Sequence, residues 1–194
     1  MLEGTQSLQL NVSRAQLSTL LAEAGLRSAV VPVSLDGAPV SLDVRRGVRS
    51  EYGNCPLPVA NTIRAQVNGP PPPTADNGNC VMLAQRPVPT ARIPDGLDTT
   101  LVAELALELT GMSPNQARDF RRVLGWHAML AIAPPRFLRS YDTVSVGDAP
   151  AMLMISGGRR GPSYTLAWVN GDMVYTLTGY GSPSDAVRLA GSVR

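Results

Sequence analysis

With 194 residues, 44% of them apolar and 16% charged, the chain can bury one large core or two small ones and is expected to fold. A formal charge of +2, carried by 17 arginines and no lysine, excludes the basic footprint of a nucleic-acid-binding surface, and Arg45-Arg46, Arg121-Arg122 and Arg159-Arg160 read as isolated solvated pairs. No run approaches the roughly 18–20 uninterrupted apolar residues of a membrane span, because the longest candidates, near Leu101–Leu109 and Met129–Ala133, are broken by Glu104, Glu108 and prolines.

The start, Met1-Leu2-Glu3-Gly4, lacks the basic region and apolar core of a secretory signal, and residues 1–12 read as a tag or linker. Ser13-Arg14-Ala15-Gln16 is a capping box; Leu17, Leu20, Leu21 and Ala24 then share one helical face, which predicts a helix over 14–24. Two extended runs, 29–34 and 39–44, flank Asp36-Gly37, a strong hairpin signal. A weaker helix is expected over 58–67, ended by Asn68-Gly69 and the prolines at 70–73. Residues 81–85 and 88–93 read as strands pushed toward an edge by Pro87 and Pro89. An apolar stripe predicts a helix over 98–110, and Ser113-Pro114-Asn115-Gln116 opens another over 114–124, stopped by Gly125. Strands follow at 127–133, 143–146, 151–155, 164–169 and 173–178. They are separated by Gly147-Asp148, a Gly-Arg-Arg-Gly loop and Asn170-Gly171, before a last helix over 183–191.

This pattern is that of an α+β fold, mostly antiparallel sheet with helices packed on it. Each half runs helix, strands, strands, helix, and "PVSLDGAPVSLDV" resembles "TVSVGDAPAMLMI". The expected organisation is therefore two tandem α+β units, 13–111 and 112–194, which could pack as one domain.

Cys55 and Cys80 are the only cysteines, and both stand in Gly-Asn-Cys turns. Cysteines so spaced in a reducing compartment are commonly unrelated core residues. Their turn contexts beside prolines favour a disulfide, and with it an oxidising compartment. Zinc would require paired ligands that Cys55, Cys80 and the lone His127 do not supply. Met152 and Met154 share a strand face, yet methionine is the ordinary filler of irregular cores, so no metal or cofactor is expected. Gly179-Tyr180-Gly181 lacks the third glycine and the following strand of a dinucleotide loop, and Gly157–Gly161 reads as a hairpin tip. Asp142 and Asp148 sit beside turns without apolar surroundings, no serine has a nucleophile-elbow setting, and the chain is expected not to be an enzyme.

The ending "YTLAWVNGDMVYTLTGYGSPSDAVRLAGSV" joins a strand with tryptophan, a glycine turn, a Val-Tyr-x-Leu-x-Gly strand and a capped helix. It resembles the end of the extracytoplasmic domains of bacterial transmembrane anti-sigma factors, with Trp168, Gly171, Tyr175, Leu177, Gly179, Leu189, Ala190 and Ser192 carrying the likeness. The resemblance covers roughly the last 55 to 80 residues. It implies a membrane-anchored parent with this chain on the extracytoplasmic face. Partners would be an envelope protein, a protease or a small apolar ligand, and a sigma factor only through a separate cytoplasmic domain. A periplasmic, lipoprotein-like carrier of an apolar ligand is the alternative.

Overall fold

The computed structural model describes residues 2–3, 6–23, 31–55, 80–94, 99–109, 112–132, 138–158 and 161–193. Strands β1 (Leu2–Glu3) and β2 (Gln6–Asn11) come first, so the reading of residues 1–12 as a tag or linker is corrected: β2 supplies a full strand to a sheet. Helix α1 (Arg14–Glu23) follows. Its free N-terminal amides have two acceptors, with Gln16 N–H donating to Ser13 Oγ at 3.3 Å and Arg14 N–H to Asp36 Oδ1 at 3.0 Å.

That second contact changes the meaning of Asp36-Gly37. The turn was expected to join strands at 29–34 and 39–44; instead Val33–Leu35 forms a single 3-10 turn, and the strand is confined to β3 (Pro39–Val44). Gly37, with φ of 73°, lets its own N–H reach Val12 O at 2.8 Å while the Asp36 carboxylate caps α1. Residues 29–30 of the expected hairpin, and residue 24 at the end of the expected first helix, lie outside the described residues. So do the expected helix over 58–67 and the prolines at 70–73.

β4 (Gly47–Tyr52), β5 (Val81–Pro87) and β6 (Thr90–Arg92) precede α2 (Thr99–Leu109) and α3 (Pro114–Leu124). The capping box of α3 is complete, with Gln116 N–H donating to Ser113 Oγ and Ser113 N–H to Gln116 Oε1 at 2.7 Å. Residues 127–133, expected as a strand, begin instead with a one-turn helix, α4 (Trp126–Met129). Gly125 at φ 73° ends α3 and redirects the chain, and Ala128 and Ile132, four apart, are the buried pair. A short apolar run does not distinguish strand from helix by its pattern, and here helical spacing reaches the core. The remaining elements are β7 (Leu138–Val146), β8 (Ala149–Gly158), β9 (Gly161–Asn170), β10 (Met173–Tyr180) and α5 (Pro183–Ala190).

Among the described residues the strands form a seven-stranded sheet, ordered β1-β4-β5-β10-β9-β8-β7, and a three-stranded sheet, β2-β3-β6, every pairing antiparallel. This is an α+β fold. β5 pairs with β10 from Val81↔Gly179 to Pro87↔Met173, so strands from 13–111 and 112–194 share one sheet. The two stretches with similar sequence are also built differently, since Gly147-Asp148 does turn a hairpin, β7–β8, and Asp36-Gly37 does not.

The β8–β9–β10 part of the large sheet is buried on both faces. On one, Met152, Met154, Ala167 and Val174 pack against Phe120 and Leu124 of α3, Ala128 of α4 and Leu107 of α2. On the other, Ala151, Leu153, Tyr164, Leu166, Trp168 and Leu177 pack against Ala186 and Ala190 of α5. Two alanines on α5 let its backbone lie close to the wide Trp168–Tyr175 stack, whose rings are 5.1 Å apart and 8° from parallel on directly opposed positions of β9 and β10. Beside it, Tyr164 lies across Gly179 so closely that a Cβ there would stand 2.5 Å from its hydroxyl oxygen and 2.7 Å from Cζ. The ring cannot retreat, being 2% exposed. Gly179→Ala is expected to lower stability by about 1–3 kcal/mol, the range for overpacking a filled core, read as an earlier urea midpoint. The same substitution at Gly171, whose Cβ would meet nothing within 4 Å, should act through its φ of 61° alone and cost less.

Candidate functional site

Two features stand apart from the core: a covalent clamp and two open polar grooves. The clamp comes from β4 and β5, whose last paired residues are Tyr52 and Val81. Cys80 immediately precedes Val81 and Cys55 follows Tyr52 closely, so strand pairing delivers the two sulfurs to one end of the sheet. They are bonded, with Cα atoms 4.7 Å apart and a sequence separation of 25. Cys80 is 2% exposed and sits against β10, its carbonyl 3.1 Å from the position of a Cβ on Gly179. Cys55 is half-buried, and its N–H donates to Gly53 O at 3.1 Å. The bond thus closes the connection between two neighbouring strands beside the ring of Tyr164.

The larger groove, about 770 Å³, is open and lined by Asn115, Arg118, Asp119, Arg121 and Arg122 of α3. Helical spacing puts Asn115, Arg118, Asp119 and Arg122 on the face opposite buried Ala117, Phe120 and Leu124. Arg121 is held by Glu104 of α2 at 2.8 Å. Arg122 meets Asp119 at 2.7 Å with its side chain 75% exposed, and Arg118 contacts Asn115. Tyr141 of β7 donates its hydroxyl to the other Asp119 oxygen at 3.0 Å, its ring edge-on to Phe120. Burial, first, and then the bond to Asp119 and its charge hold the Tyr141 phenol above its usual value, against the opposing pull of Arg122. The smaller groove, about 470 Å³, lies over Gln9 and Asn11 of β2, Pro39, Val40 and Ser41 of β3, and Arg92 of β6.

Sequence reasoning treated Arg121-Arg122 as a solvated pair. A helical net over 114–124 would have shown two exposed guanidinium groups, from Arg118 and Arg122, flanking one carboxylate. No sequence pattern announces the approach of Tyr141. His127 is half-buried on α4, its ring centroid 3.8 Å from that of Trp126. No group of three or more metal-donor side chains occurs among the described residues. Met152 and Met154 are wholly enclosed in the core. Gly158 pairs with Gly161 at a hairpin tip whose Arg159 and Arg160 lie outside the described residues. Asp142 and Asp148 are exposed on β7 and in the β7–β8 turn. Gly179 serves Tyr164, and Gly181, at φ 103°, turns the chain into α5. No helix among the described residues is long and apolar enough to cross a membrane.

Compared with protein-family models, with characterised proteins and with solved structures, the chain finds no match.

Closing a loop of about 26 residues restricts the unfolded chain by about 3.5 kcal/mol in the chain-entropy treatment. The double variant Cys55→Ala/Cys80→Ala should lose about that much in denaturant unfolding, and reduction of the parent should reproduce the loss.

Alkaline pH offers a second measurement, because the chain has no lysine and its cysteines are bonded, leaving tyrosines as the side chains that titrate between about pH 9 and 12. Burial, and secondarily the charge of Asp185, raises the Tyr164 phenol above its ordinary value of 10.0, as burial and Asp119 raise Tyr141. A phenol that holds its proton more tightly when folded contributes stability in full below about pH 10, lost as pH rises through the raised value. Stability should therefore be level to about pH 9 and fall above 10, and Tyr164→Phe should flatten that fall. Phenolate absorbance should show two late-titrating tyrosines in the folded chain.

Proposed function

We propose that this chain is a non-catalytic sensing module on the extracytoplasmic face of a bacterial membrane, the regulatory domain of a membrane-anchored anti-sigma factor. Release of the sigma factor is controlled through a span and a cytoplasmic domain carried by the parent protein. The observation that carries the extracytoplasmic part of the reading is the Cys55–Cys80 bond, while the anti-sigma part rests on the resemblance of the C-terminal sequence. A disulfide with one sulfur buried in the sheet persists where no thiol pool reduces it, which favours the envelope over the cytosol.

The residues of the anti-sigma-like ending act in support as structural parts. Trp168 and Tyr175 stack, Leu177 and Ala190 are buried, Gly179 admits Tyr164, Gly171 turns the β9–β10 hairpin, and Ser192 donates to Leu189 O at 2.6 Å, while the Leu189 side chain itself is exposed. The ending therefore works as a closing element of the fold. Between this reading and a carrier of apolar ligands, the α3 groove favours the first, since its lining side chains are amide, guanidinium and carboxylate, while the groove over the small sheet mixes Gln9, Asn11, Ser41 and Arg92 with Pro39 and Val40.

The test is made in the native host with the full-length gene product. After blocking free thiols in whole cells, the two cysteines should become labelled only when reductant is added. Deleting this domain from the parent should change transcription from promoters of the sigma factor encoded beside it, whereas residues 1–194 alone should not retain that factor in a pull-down. Free cytosolic thiols, or sigma binding by the isolated chain, would overturn the reading.

A further inference from the structure

β7 is the outermost strand of the seven-stranded sheet, nine residues long and paired on one side only, with β8, among the described residues. Such an edge presents a row of backbone donors and acceptors to any extended chain of matching length. Its exposed Arg139 and Asp142, and a register shift between Leu138 and Ser140, oppose indiscriminate pairing and make self-association through β7 unfavourable. The edge is joined to the α3 groove where Tyr141, rooted in β7, donates to Asp119 in the groove wall. Arg118 and Arg122, one helical turn apart on α3, line the same groove as Asp119, both exposed. Their present partners, Asn115 and Asp119, lie on the same helix, and such exposed pairs are worth little, so either guanidinium can exchange its partner at small cost.

We infer that β7 and the α3 groove together form a docking site for an extended peptide with acidic side chains. The peptide adds as an outer strand along Leu138–Val146, and its carboxylates on the α3 side are taken by Arg118 and Arg122. Main-chain bonds supply most of the affinity, and the two guanidinium groups supply the preference for acidic over basic sequences. The inference stands on strand order and charge and does not require the anti-sigma reading; within that reading it names the chemistry of the envelope partner.

The intact, disulfide-bonded chain would be titrated with nine-residue peptides bearing Glu at every second position and Val or Thr between, and with counterparts bearing Lys in place of Glu. Acidic peptides should bind, more weakly as salt rises, and should slow hydrogen exchange at alternate amides between Leu138 and Val146. Lys peptides should bind at least about tenfold more weakly. Arg118→Gln/Arg122→Gln, which removes two exposed charges and no core contact, should cost the acidic peptides about tenfold while leaving the unfolding midpoint unchanged. Four results would overturn the proposal: absence of binding, binding without protection in β7, dimerisation through β7 seen by sedimentation, or preference of the same arginines for anionic phospholipid vesicles over peptide.

Discussion

Burial of the β8–β9–β10 meander on both faces is the constraint from which the rest of the architecture follows. Antiparallel sheets commonly leave one face to solvent, but here successive residues from Ala151 to Met154 are all buried, and Leu166, Ala167 and Trp168 are buried in an unbroken run. A strand without a polar face has to be covered twice. One cover is the α2–α3–α4 group over the methionines and Val174; the other is α5 over the aromatic row. The division of labour follows side-chain shape. Flexible Met152 and Met154 fill the uneven space beneath three short helices, whereas the stacked Trp168 and Tyr175 make a broad surface on which a helix with alanine contacts can settle.

The N-terminal half attaches to this layer through β5, and the attachment is where the disulfide acts. β5 lies between β4 and β10, so the strand that follows Cys80 is held by main-chain bonds on both sides and by the bond to Cys55 just before its start. The long connection from β4 to β5 would otherwise be costly to close, and the covalent link limits the freedom of the unfolded chain at that place. The same corner holds Gly179 and Tyr164, so the clamp, the Tyr164 ring lying over Gly179 and the end of the central strand coincide.

The open polar surfaces of this architecture lie at its margins. Its interior is apolar, with no buried polar or charged side chain among the described residues, and the open grooves lie over α3 and over the three-stranded sheet. The Tyr141–Asp119 bond joins the α3 groove to the open strand β7, and the proposed peptide site is built on that junction.

The elements legible in the sequence were those whose signals are local. The Ser113–Gln116 box, the stripe of α2, the Asn170-Gly171 turn and the alternating runs of β8 to β10 each state their structure within a few residues, because capping, helical period and turn chemistry are short-range interactions. These sufficed for an α+β fold and for a favoured, though not compulsory, Cys55–Cys80 bond. What local pattern left undecided was settled by partners distant in sequence. Asp36-Gly37 carries a hairpin signature, yet its carboxylate finds the open N-terminus of α1, and β3 pairs with a strand from residues that look like a linker. The apolar run after Gly125 satisfies strand and helix equally until Ala128 and Ile132 meet the core. Likewise two halves with similar patterns suggest two units, and only the β5–β10 pairing makes them one sheet. Strand neighbours and groove walls depend on which surfaces meet in three dimensions, and no periodicity encodes that.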